Sequence, residues 1–386
     1  MKSEWNRVQV GELCSRVCSG GTPKSTNSEY YGGDIPWLNT REVNFNRISK
    51  TEGFITQAGL DNSSAKWIKK NCVIVAMYGA TAGRCAITKI PLTTNQACCN
   101  LEIDDTKADY RFVYYALKNE YVRLSSAANG GAQQNLNAQQ VKEFDIPYPP
   151  LPIQRKIASI LSSLDDKIET NNAICRNLEE QAMALYKSWF VDFEPFQKCV
   201  FEESEIGMIP RGWRVSKMSD FFPVITGKKN ANVAGEKGQY PFFSCSQEIL
   251  WTDDYSFEGK AILVAGNGDF NVKRYNGKFE AYQRTYVLIP DNPKLAGILY
   301  YAISKGLSDI TIGARGSVIN FITKGNIADY KIAIPNNLID LPIITTISSL
   351  NETIDNLNTE NQNLSQLRNA LLPKLMSGEI DLSTII

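Results

Sequence analysis

The sequence repeats itself at an offset of about 186 residues, and this repeat constrains the fold more than any other feature. Residues 162–172 (SSLDDKIETNN) match residues 348–358 (SSLNETIDNLN) without a gap. Residues 113–117 (VYYAL) match residues 299–303 (LYYAI) at the same offset. Weaker matches drift in offset because the loops between them differ in length. The chain therefore consists of two copies of one unit, and each copy is a variable globular block followed by a helix.

Each copy ends in a long helical pattern. Apolar or small residues recur at alternating spacings of 4 and 3, and a sustained period of 3.5 predicts a coiled-coil helix. We expect the first helix to span residues 157–189, with a length of roughly 50 Å. Proline-bearing stretches at 146–152 and 334–342 mark where the helices begin, because proline is excluded from helix interiors. The seam positions are Ile157, Leu161, Leu164, Ile168, Asn171, Cys175, Leu178, Ala182, Leu185 and Trp189, then Ile343, Ile347, Leu350, Ile354, Leu357, Asn361, Leu364, Arg368, Leu371 and Leu375.

The direction of helix pairing follows from the position of the second block between the helices. If the ends of that block lie close together, the second helix starts near the end of the first and the two run antiparallel. We then expect facing residues to have numbers that sum to about 532, which places Asn171 opposite Asn361. A polar layer of this kind fixes the register of a coiled coil. The alternative, that each seam packs on its own globular block, stays open.

The predicted fold class is mixed α and β, an α+β arrangement of two repeated globular domains, each followed by a long helix, and the two helices pair as an antiparallel coiled coil. Strands are expected at 72–77, 97–103, 261–265 and 285–289, and shorter helices at 110–124 and 294–305. The predicted domains are 1–152 and 196–337 for the two globular blocks, with helical segments at 153–195 and 338–386.

Composition excludes several classes of protein. The chain has no histidine, which removes Ser-His and Cys-His catalytic pairs. Its nine cysteines form no C-x-x-C motif, so free thiols in a reducing compartment are favoured over a zinc site. No N-terminal signal sequence and no membrane-length apolar run are evident, so we expect a cytoplasmic protein. The net charge is zero, which argues against a general polyanion binder.

Polar, glycine-bearing loops recur in both copies with different side chains. They lie at 19–24, 78–84 and 130–137 in the first copy and at 226–230, 266–274 and 313–320 in the second. Backbone amides with cations suit phosphate contact, amide side chains suit adenine, and arginine suits guanine. Local turn formation is the alternative for any single loop. The expected phosphate or base contacts are Lys24, Arg84, Lys228, Lys229, Lys273 and Arg274, and the expected base readers are Gln133, Gln134, Asn135 and Arg315.

The sequence resembles the specificity subunits of type I restriction–modification systems over nearly its whole length. The segments that carry the likeness are 20–23, 79–84, 135–137, 146–157 (IPYPPLPIQRKI), 161–169, 184–193 (ALYKSWFVDF), 204–213 (SEIGMIPRGW) and 371–380 (LLPKLMSGEI). The second copy departs from the pattern: residues 336–343 (NNLIDLPI) lack the usual glutamine, and the counterpart of Asn135-Leu-Asn is only residues 320–322 (NFI).

The resemblance implies a non-catalytic subunit that reads a split, asymmetric sequence in double-stranded DNA. It implies that paired helices act as a ruler and dock two methyltransferase subunits, and that restriction subunits join them. No cofactor is expected on this chain, since S-adenosylmethionine, ATP and magnesium would belong to those partners. Trp189, Phe190 and Phe193 are candidate docking residues.

The sequence does not favour an enzyme or a scaffold without DNA specificity. An adenine methyltransferase needs an Asn/Asp-Pro-Pro-Tyr/Phe motif, and residues 148–151 (YPPL) do not supply it. The acidic pair Asp165-Asp166 with Lys167 superficially resembles a nuclease site, but consecutive helical residues do not share one face. A scaffold without DNA specificity would have no evident reason to vary its loops between copies.

Overall fold

The computed structural model describes residues 5–127, 135–312 and 320–382. The chain forms two compact units. Unit 1 contains Met1–Glu169 and Asn361–Ile386, and unit 2 contains Thr170–Glu360. Each unit therefore takes one globular block and one half of each long helix, whereas the sequence-based domains kept each helix separate from the blocks.

Unit 1 is built on a five-stranded sheet and a three-stranded sheet. The larger has the order β2-β9-β6-β7-β4, the smaller has the order β5-β3-β8, and β1 pairs with β10. Central β6 carries consecutive β-branched residues, which suit a strand buried on both faces. The strands are β1 (Arg7–Gln9), β2 (Cys14–Ser19), β3 (Tyr31–Leu38), β4 (Arg47–Ile48), β5 (Gly53–Ile55), β6 (Val73–Ala76), β7 (Cys85–Thr88), β8 (Thr93–Thr94), β9 (Cys98–Ile103) and β10 (Asp145–Pro147).

The helices of unit 1 pack on both sheets, since the first contacts strand β3 of the smaller sheet and the second contacts β6 and β7 of the larger. They are α1 (Gln57–Asp61), α2 (Tyr110–Asn119), α3 (Tyr121–Ser126), α4 (Ala138–Glu143) and the first half of α5 (Leu151–Phe190). The Asp109 side chain caps α2 by accepting a hydrogen bond from the Arg111 amide. Helix α2 buries Phe112, Val113 and Leu117 in the core. Helix α5 begins six residues before the predicted start. Pro152 lies in its first turn, where a backbone N–H has no partner within the helix, so proline is tolerated there.

Unit 2 repeats this plan with one continuous sheet. Its strand order is β14-β19-β17-β18-β15-β16, and β13 pairs with β20 as β1 pairs with β10. The strands are β11 (Phe201–Ser204), β12 (Gly207–Pro210), β13 (Trp213–Lys217), β14 (Ile225–Thr226), β15 (Tyr240–Phe243), β16 (Ile249–Thr252), β17 (Phe257–Ala265), β18 (Val272–Ala281), β19 (Thr285–Leu288) and β20 (Lys331–Pro335). The helices are α6 (Ala296–Lys305), α7 (Leu307–Thr311), α8 (Lys324–Ala328) and α9 (Pro342–Met376).

The repeat extends to strand pairing. In unit 1, β3 runs parallel to β8, with Leu38 beside Thr94. In unit 2, β15 runs parallel to the end of β18, with Phe243 beside Ala281. Strand β18 is long enough to occupy the positions that β7 and β8 fill separately in unit 1, and this explains why two sheets become one.

The long helices pack both on each other and on the blocks. In unit 1, Ile157 and Leu161 of α5 share a core with Leu372 and Leu375 of α9 and with the globular block. In unit 2, Ala182, Tyr186 and Phe190 of α5 share a core with Ile343, Ile344 and Ile347 of α9. The predicted antiparallel coiled coil is confirmed. Some seam residues also pack on the globular block of their unit, as the alternative proposed.

The predicted register also agrees with contacts inside each unit. Arg368 contacts Asp165 in unit 1, and in unit 2 the Asn171 Nδ2 donates to a Glu360 carboxylate oxygen at 2.8 Å. The numbers of each pair sum to within one of 532. Asn171 is fully buried. Because Asn171 and Asn361 belong to different units, their predicted pairing stays a prediction.

Candidate nucleic-acid interface

Three loops of unit 1 meet at one edge of its larger sheet. Strand β2 ends where β9 begins, with Ser19 beside Cys99, and β6 ends at the same level, with Ala76 beside Cys98. The loops at 20–24, 78–84 and 95–97 therefore leave the sheet side by side. We call this set of loops the loop edge of unit 1.

Backbone contacts hold the first of these loops close to the sheet. The Gly21 amide donates to the Thr94 carbonyl at 2.9 Å. The Trp37 indole donates to the Gly21 carbonyl, also at 2.9 Å. A Cβ at Gly20 would lie 2.1 Å from the Thr94 carbonyl oxygen, so only glycine fits this approach. Lys24, at the end of this loop, is exposed.

A fourth segment joins the edge through Asn135. The Leu136 amide donates to the Met77 carbonyl at 2.8 Å, and Asn135 forms a β-bridge with Tyr78. Asn137 then caps α4 in a capping box with Gln140. Asn135 is half-buried at the loop edge, while Gln133 and Gln134 lie outside the described residues.

Unit 2 has an equivalent loop edge. Ala265 at the end of β17 lies beside Thr285, and Thr226 at the end of β14 lies beside Tyr286. Loops 227–230, 266–271 and 282–284 meet there. The Ile322 amide donates to the Gly266 carbonyl at 3.0 Å. This contact makes Phe321, not Asn320, the equivalent of Asn135, which is again an offset of 186 residues. Arg315 lies outside the described residues.

An open polar groove of about 550 Å³ lies at the loop edge of unit 2. Its lining includes Lys228, Gln283 and Arg284, together with Thr226, Gly227, Gly266, Tyr286 and Ile322. Gln283 and Arg284 are exposed, and the sequence analysis did not predict them as DNA contacts. Their unit 1 equivalents are Gln96, which is exposed and hydrogen-bonded to Thr22, and Ala97. The recurrence of glutamine before β9 and before β19 is the signal that could have found them.

Four predicted cations lie at the two loop edges. Arg84 donates to the Asn44 side-chain oxygen at 2.8 Å. Lys228 is exposed, with its ammonium group 5.2 Å from the centre of the Phe257 ring. Lys229 is half-buried, and its backbone forms a β-bridge with Tyr282. With Lys24, these residues give each edge positive charge near backbone amides, an arrangement suited to phosphate.

The structure gives Lys273 and Arg274 partners inside unit 2. The Lys273 ammonium donates to the carbonyls of Ser244 at 3.0 Å and Ser246 at 2.5 Å. Burial lowers the pKa of Lys273. Arg274 forms an ion pair with Asp355 of α9 at 2.6 Å, with 16% of its side chain exposed. Both residues therefore hold β18 in place, and a DNA contact by either stays a prediction.

Arg274 has a counterpart in unit 1. Arg47 on β4 contacts Asp166 and, at 3.3 Å, Glu169, both on α5. Glu169 and Asp355 are equivalent in the repeat. Each unit thus ties its sheet to one long helix with an arginine, and this recurrence favours a structural role for Arg274.

A second polar contact joins sheet-packed helices to the coiled coil. In unit 1, the Tyr115 hydroxyl donates to Asp165 at 2.5 Å, and Arg368 contacts the same carboxylate at 2.5 Å. In unit 2, the Tyr301 hydroxyl donates to the Asn351 side-chain oxygen at 3.0 Å. Burial and the charge of Asp165 raise the pKa of Tyr115 well above its ordinary value, so the hydroxyl remains a donor.

Two of the predicted docking aromatics, Phe190 and Phe193, contact Trp213 in unit 2, and Trp189 contacts Phe196. Phe190 is buried, with 5% of its surface exposed, and stacks on Tyr186 at 5.4 Å. Phe193 makes an edge contact with Trp213 at 5.2 Å, and Trp189 is half-buried beside the same core. Burial of Phe190 leaves its ring unavailable to a partner in this conformation. Docking by Trp189, Phe190 and Phe193 stays a prediction.

Within the described ranges, 5–127, 135–312 and 320–382, no group of three or more acidic or cysteine side chains is placed to hold a metal ion. Burial raises the pKa of the Cys85 and Cys99 thiols to about 12, which keeps them protonated. No helix in this part of the chain is both long and apolar enough to cross a membrane.

Two repeat-related sheets each expose cations, amides and backbone groups at one edge, an arrangement suited to contact with nucleic acid. The family model of the type I restriction modification DNA specificity domain matches residues 2–180 and 210–366. The chain belongs to this family, and the resemblance read from its sequence is confirmed.

Individual relatives agree with this placement. The chain is 27% identical to the type I restriction enzyme MjaIX specificity subunit of Methanocaldococcus jannaschii, across 98% of this chain and 94% of the relative. It is 37% identical to the EcoDI specificity subunit of Escherichia coli across 45% of this chain and 40% of the relative. A crystal structure of the type I restriction–modification S subunit from M. genitalium shares the fold, with a TM-score of 0.61 at 18% identity over 96% of both chains.

Proposed function

We propose that this chain is the non-catalytic, sequence-specific DNA-recognition subunit of a type I restriction–modification complex. The observation that carries the proposal is the pair of equivalent loop edges with unequal chemistry. Gln96 and Ala97 occupy in unit 1 the positions that Gln283 and Arg284 occupy in unit 2. Equivalent scaffolds with different readers suit a split target whose two parts differ in sequence.

Each loop edge combines two kinds of DNA contact. Exposed Lys24 and Lys228 suit phosphate oxygens, which position the protein without reading sequence. Gln96 and Gln283 suit the bidentate contact that amides make with adenine in the major groove. Arg284 suits the O6 and N7 acceptors of guanine. The predicted readers Gln133, Gln134, Asn135 and Arg315 belong to the same proposal.

The partners and cofactors follow from the family. The chain would assemble with two methyltransferase subunits and with restriction subunits in the cytoplasm. S-adenosylmethionine, ATP and magnesium would be bound by those partners, since catalysis belongs to them. The paired helices would set the spacing between the two DNA contacts, as the likeness to the family implies.

The test is methylome sequencing of a restriction-deficient host that expresses this chain with its neighbouring methyltransferase subunit. We expect a split, asymmetric motif with one methylated adenine on each strand, which disappears when this chain is omitted. A soluble complex that adds no methylation would contradict the proposal and point to a recognition protein for another effector.

A further inference from the structure

Each loop edge presents one exposed aromatic ring. Tyr78 is 43% exposed in unit 1 and Phe321 is 39% exposed in unit 2. Neither ring is among the residues that form or line the hydrophobic core of its unit. Their backbones, by contrast, are held by β-bridges and by neighbouring hydrogen bonds to the sheet edge.

The two aromatics occupy exchanged positions in the repeat. In unit 1, Tyr78 follows β6 and bridges to Asn135. In unit 2, Asn267 follows β17 and bridges to Phe321. The contacts of Leu136 with Met77 and of Ile322 with Gly266 make Tyr78 equivalent to Asn267, and Asn135 equivalent to Phe321.

The exchange of the ring and the amide between the two positions argues against a packing role for the rings. A ring required for packing would be expected at the same position in both units, where its surroundings are the same. What recurs instead is the pair itself, one aromatic ring and one amide on facing backbone segments. A pair that tolerates exchange of its members suits a common ligand in front of both.

The surroundings favour DNA as that ligand. In unit 2 the Gly266 backbone, which bonds to the segment carrying Phe321, lines the same groove as Lys228, Gln283 and Arg284. In unit 1, Arg84 closes the loop that carries Tyr78. Cations with an exposed ring and an amide match the elements by which proteins hold a phosphate backbone and contact bases.

We propose that Tyr78 and Phe321 are base-contacting residues that insert their rings at a base step of the half-site read by each unit, beside an amide that hydrogen-bonds a base edge. This inference rests on the proposed DNA-recognition function. Apolar and aromatic wedges partly unstack base steps in other DNA complexes. A specificity contribution follows because pyrimidine–purine steps are the easiest to unstack.

The test uses the full chain in complex with its methyltransferase subunits. The wild-type complex first selects its motif from a random duplex library, which provides the probe. Tyr78→Ala and Phe321→Ala are then compared with Phe54→Ala and Tyr255→Ala, whose rings are 41% and 42% exposed. Tyr255 lies just before β17 and contacts the Tyr240 ring at 4.9 Å, and Phe54 lies on β5, two strands from β8, so neither belongs to the loops that form the loop edges.

We expect each loop-edge alanine variant to bind the selected duplex about 5- to 150-fold more weakly, the equivalent of one base-stacking contact of about 1–3 kcal/mol. Tyr78→Phe should restore binding, since the ring and not the hydroxyl makes the contact. Duplexes with 2-aminopurine at successive positions should show enhanced fluorescence at one step in each half-site. Tyr78→Ala should abolish one of these signals, and Phe321→Ala should abolish the other.

The outcomes are distinct. Unchanged affinity and unchanged 2-aminopurine signals in both alanine variants would overturn the inference and leave DNA recognition intact. Loss of methyltransferase capture with an unchanged signal would also overturn it, in favour of subunit docking. Failure of the wild-type complex to select any sequence would overturn the proposed function together with the inference.

Discussion

At the scale of single residues, one buried position of the repeat holds a charged residue in unit 1 and a neutral one in unit 2. Asp165 is neutralised by Arg368 in unit 1. In unit 2, neutral Asn351 takes the place of Asp165, and Ala182 takes the place of Arg368. The tyrosine that bonds to this position, Tyr115 or Tyr301, is present in both units. A charge and its partner have therefore been exchanged together.

We predict that Arg368→Ala lowers the free energy of unfolding by about 3 kcal/mol, because it leaves the Asp165 carboxylate buried without its cation. Asp165→Asn combined with Arg368→Ala reproduces the arrangement of unit 2 and should return to within about 1 kcal/mol of wild type. Urea denaturation followed by tryptophan fluorescence measures both. Lys374→Ala is the control, since its ion pair with Glu379 is 54% exposed on each side and should contribute about 0–1 kcal/mol. An Arg368→Ala variant as stable as this control would contradict the prediction.

At the scale of elements, arginines fasten the sheets to the long helices. Arg47 joins β4 to α5, and Arg274 joins β18 to α9. Neither tie is visible as a sequence motif, because arginine and its carboxylate partner lie far apart along the chain. In the sequence, Arg274 instead follows a glycine-rich loop and resembles a phosphate contact.

We predict that Arg274→Ala destabilises the protein by about 1 kcal/mol, because it removes an ion pair in which Arg274 is 16% exposed but Asp355, at 45% exposed, is partly screened by solvent. Lys228→Ala, on the exposed loop edge, should leave stability unchanged within about 0.5 kcal/mol. The same variant should weaken binding to all DNA sequences alike and reduce the slope of affinity against salt by about 1. Thermal unfolding and a salt titration of DNA affinity separate the two effects. Equal melting temperatures for the two variants would show that Arg274 is not a structural tie.

At the scale of the whole molecule, one scaffold is used twice with separate readers. The strand order around each loop edge is the same, while the exposed side chains differ. Duplication therefore accounts for the fold, and divergence of loops accounts for two different targets. Each unit is expected to determine one part of the motif.

We predict that Gln96→Ala relaxes one base in one half of the motif and that Gln283→Ala relaxes one base in the other half. Each loss of an amide–adenine contact should reduce discrimination at that base about 5- to 150-fold, or about 1–3 kcal/mol. Methylome sequencing of each variant gives the motif directly. Lys24→Ala provides the comparison, since loss of a phosphate contact should lower methylation without changing the motif. Relaxation of both halves by a single glutamine variant would refute separate reading.

The sequence by itself determined the duplication, the fold class and the antiparallel helices. The duplication follows from matched segments, the helices follow from periodicity and proline positions, and their antiparallel direction follows from the place of the second block between them. It also located most of the loops, because glycine and amide residues cluster where strands end. The predicted register, in which the numbers of facing residues sum to about 532, agrees with the contacts of Asp165 and Asn171.

Only the tertiary structure decided which side chains share an edge and which are used internally. Gln283 and Arg284 reach the groove because β14, β17 and β19 align their ends, a result of hydrogen-bond register between distant segments. Arg274 is drawn to Asp355, and Phe190 to the core around Tyr186, by partners far along the chain or on another face of the fold. The exchange of Tyr78 and Phe321 is likewise visible only through backbone pairing. Periodicity records which way a residue faces, whereas its partners are set by the packing of segments that the sequence keeps apart.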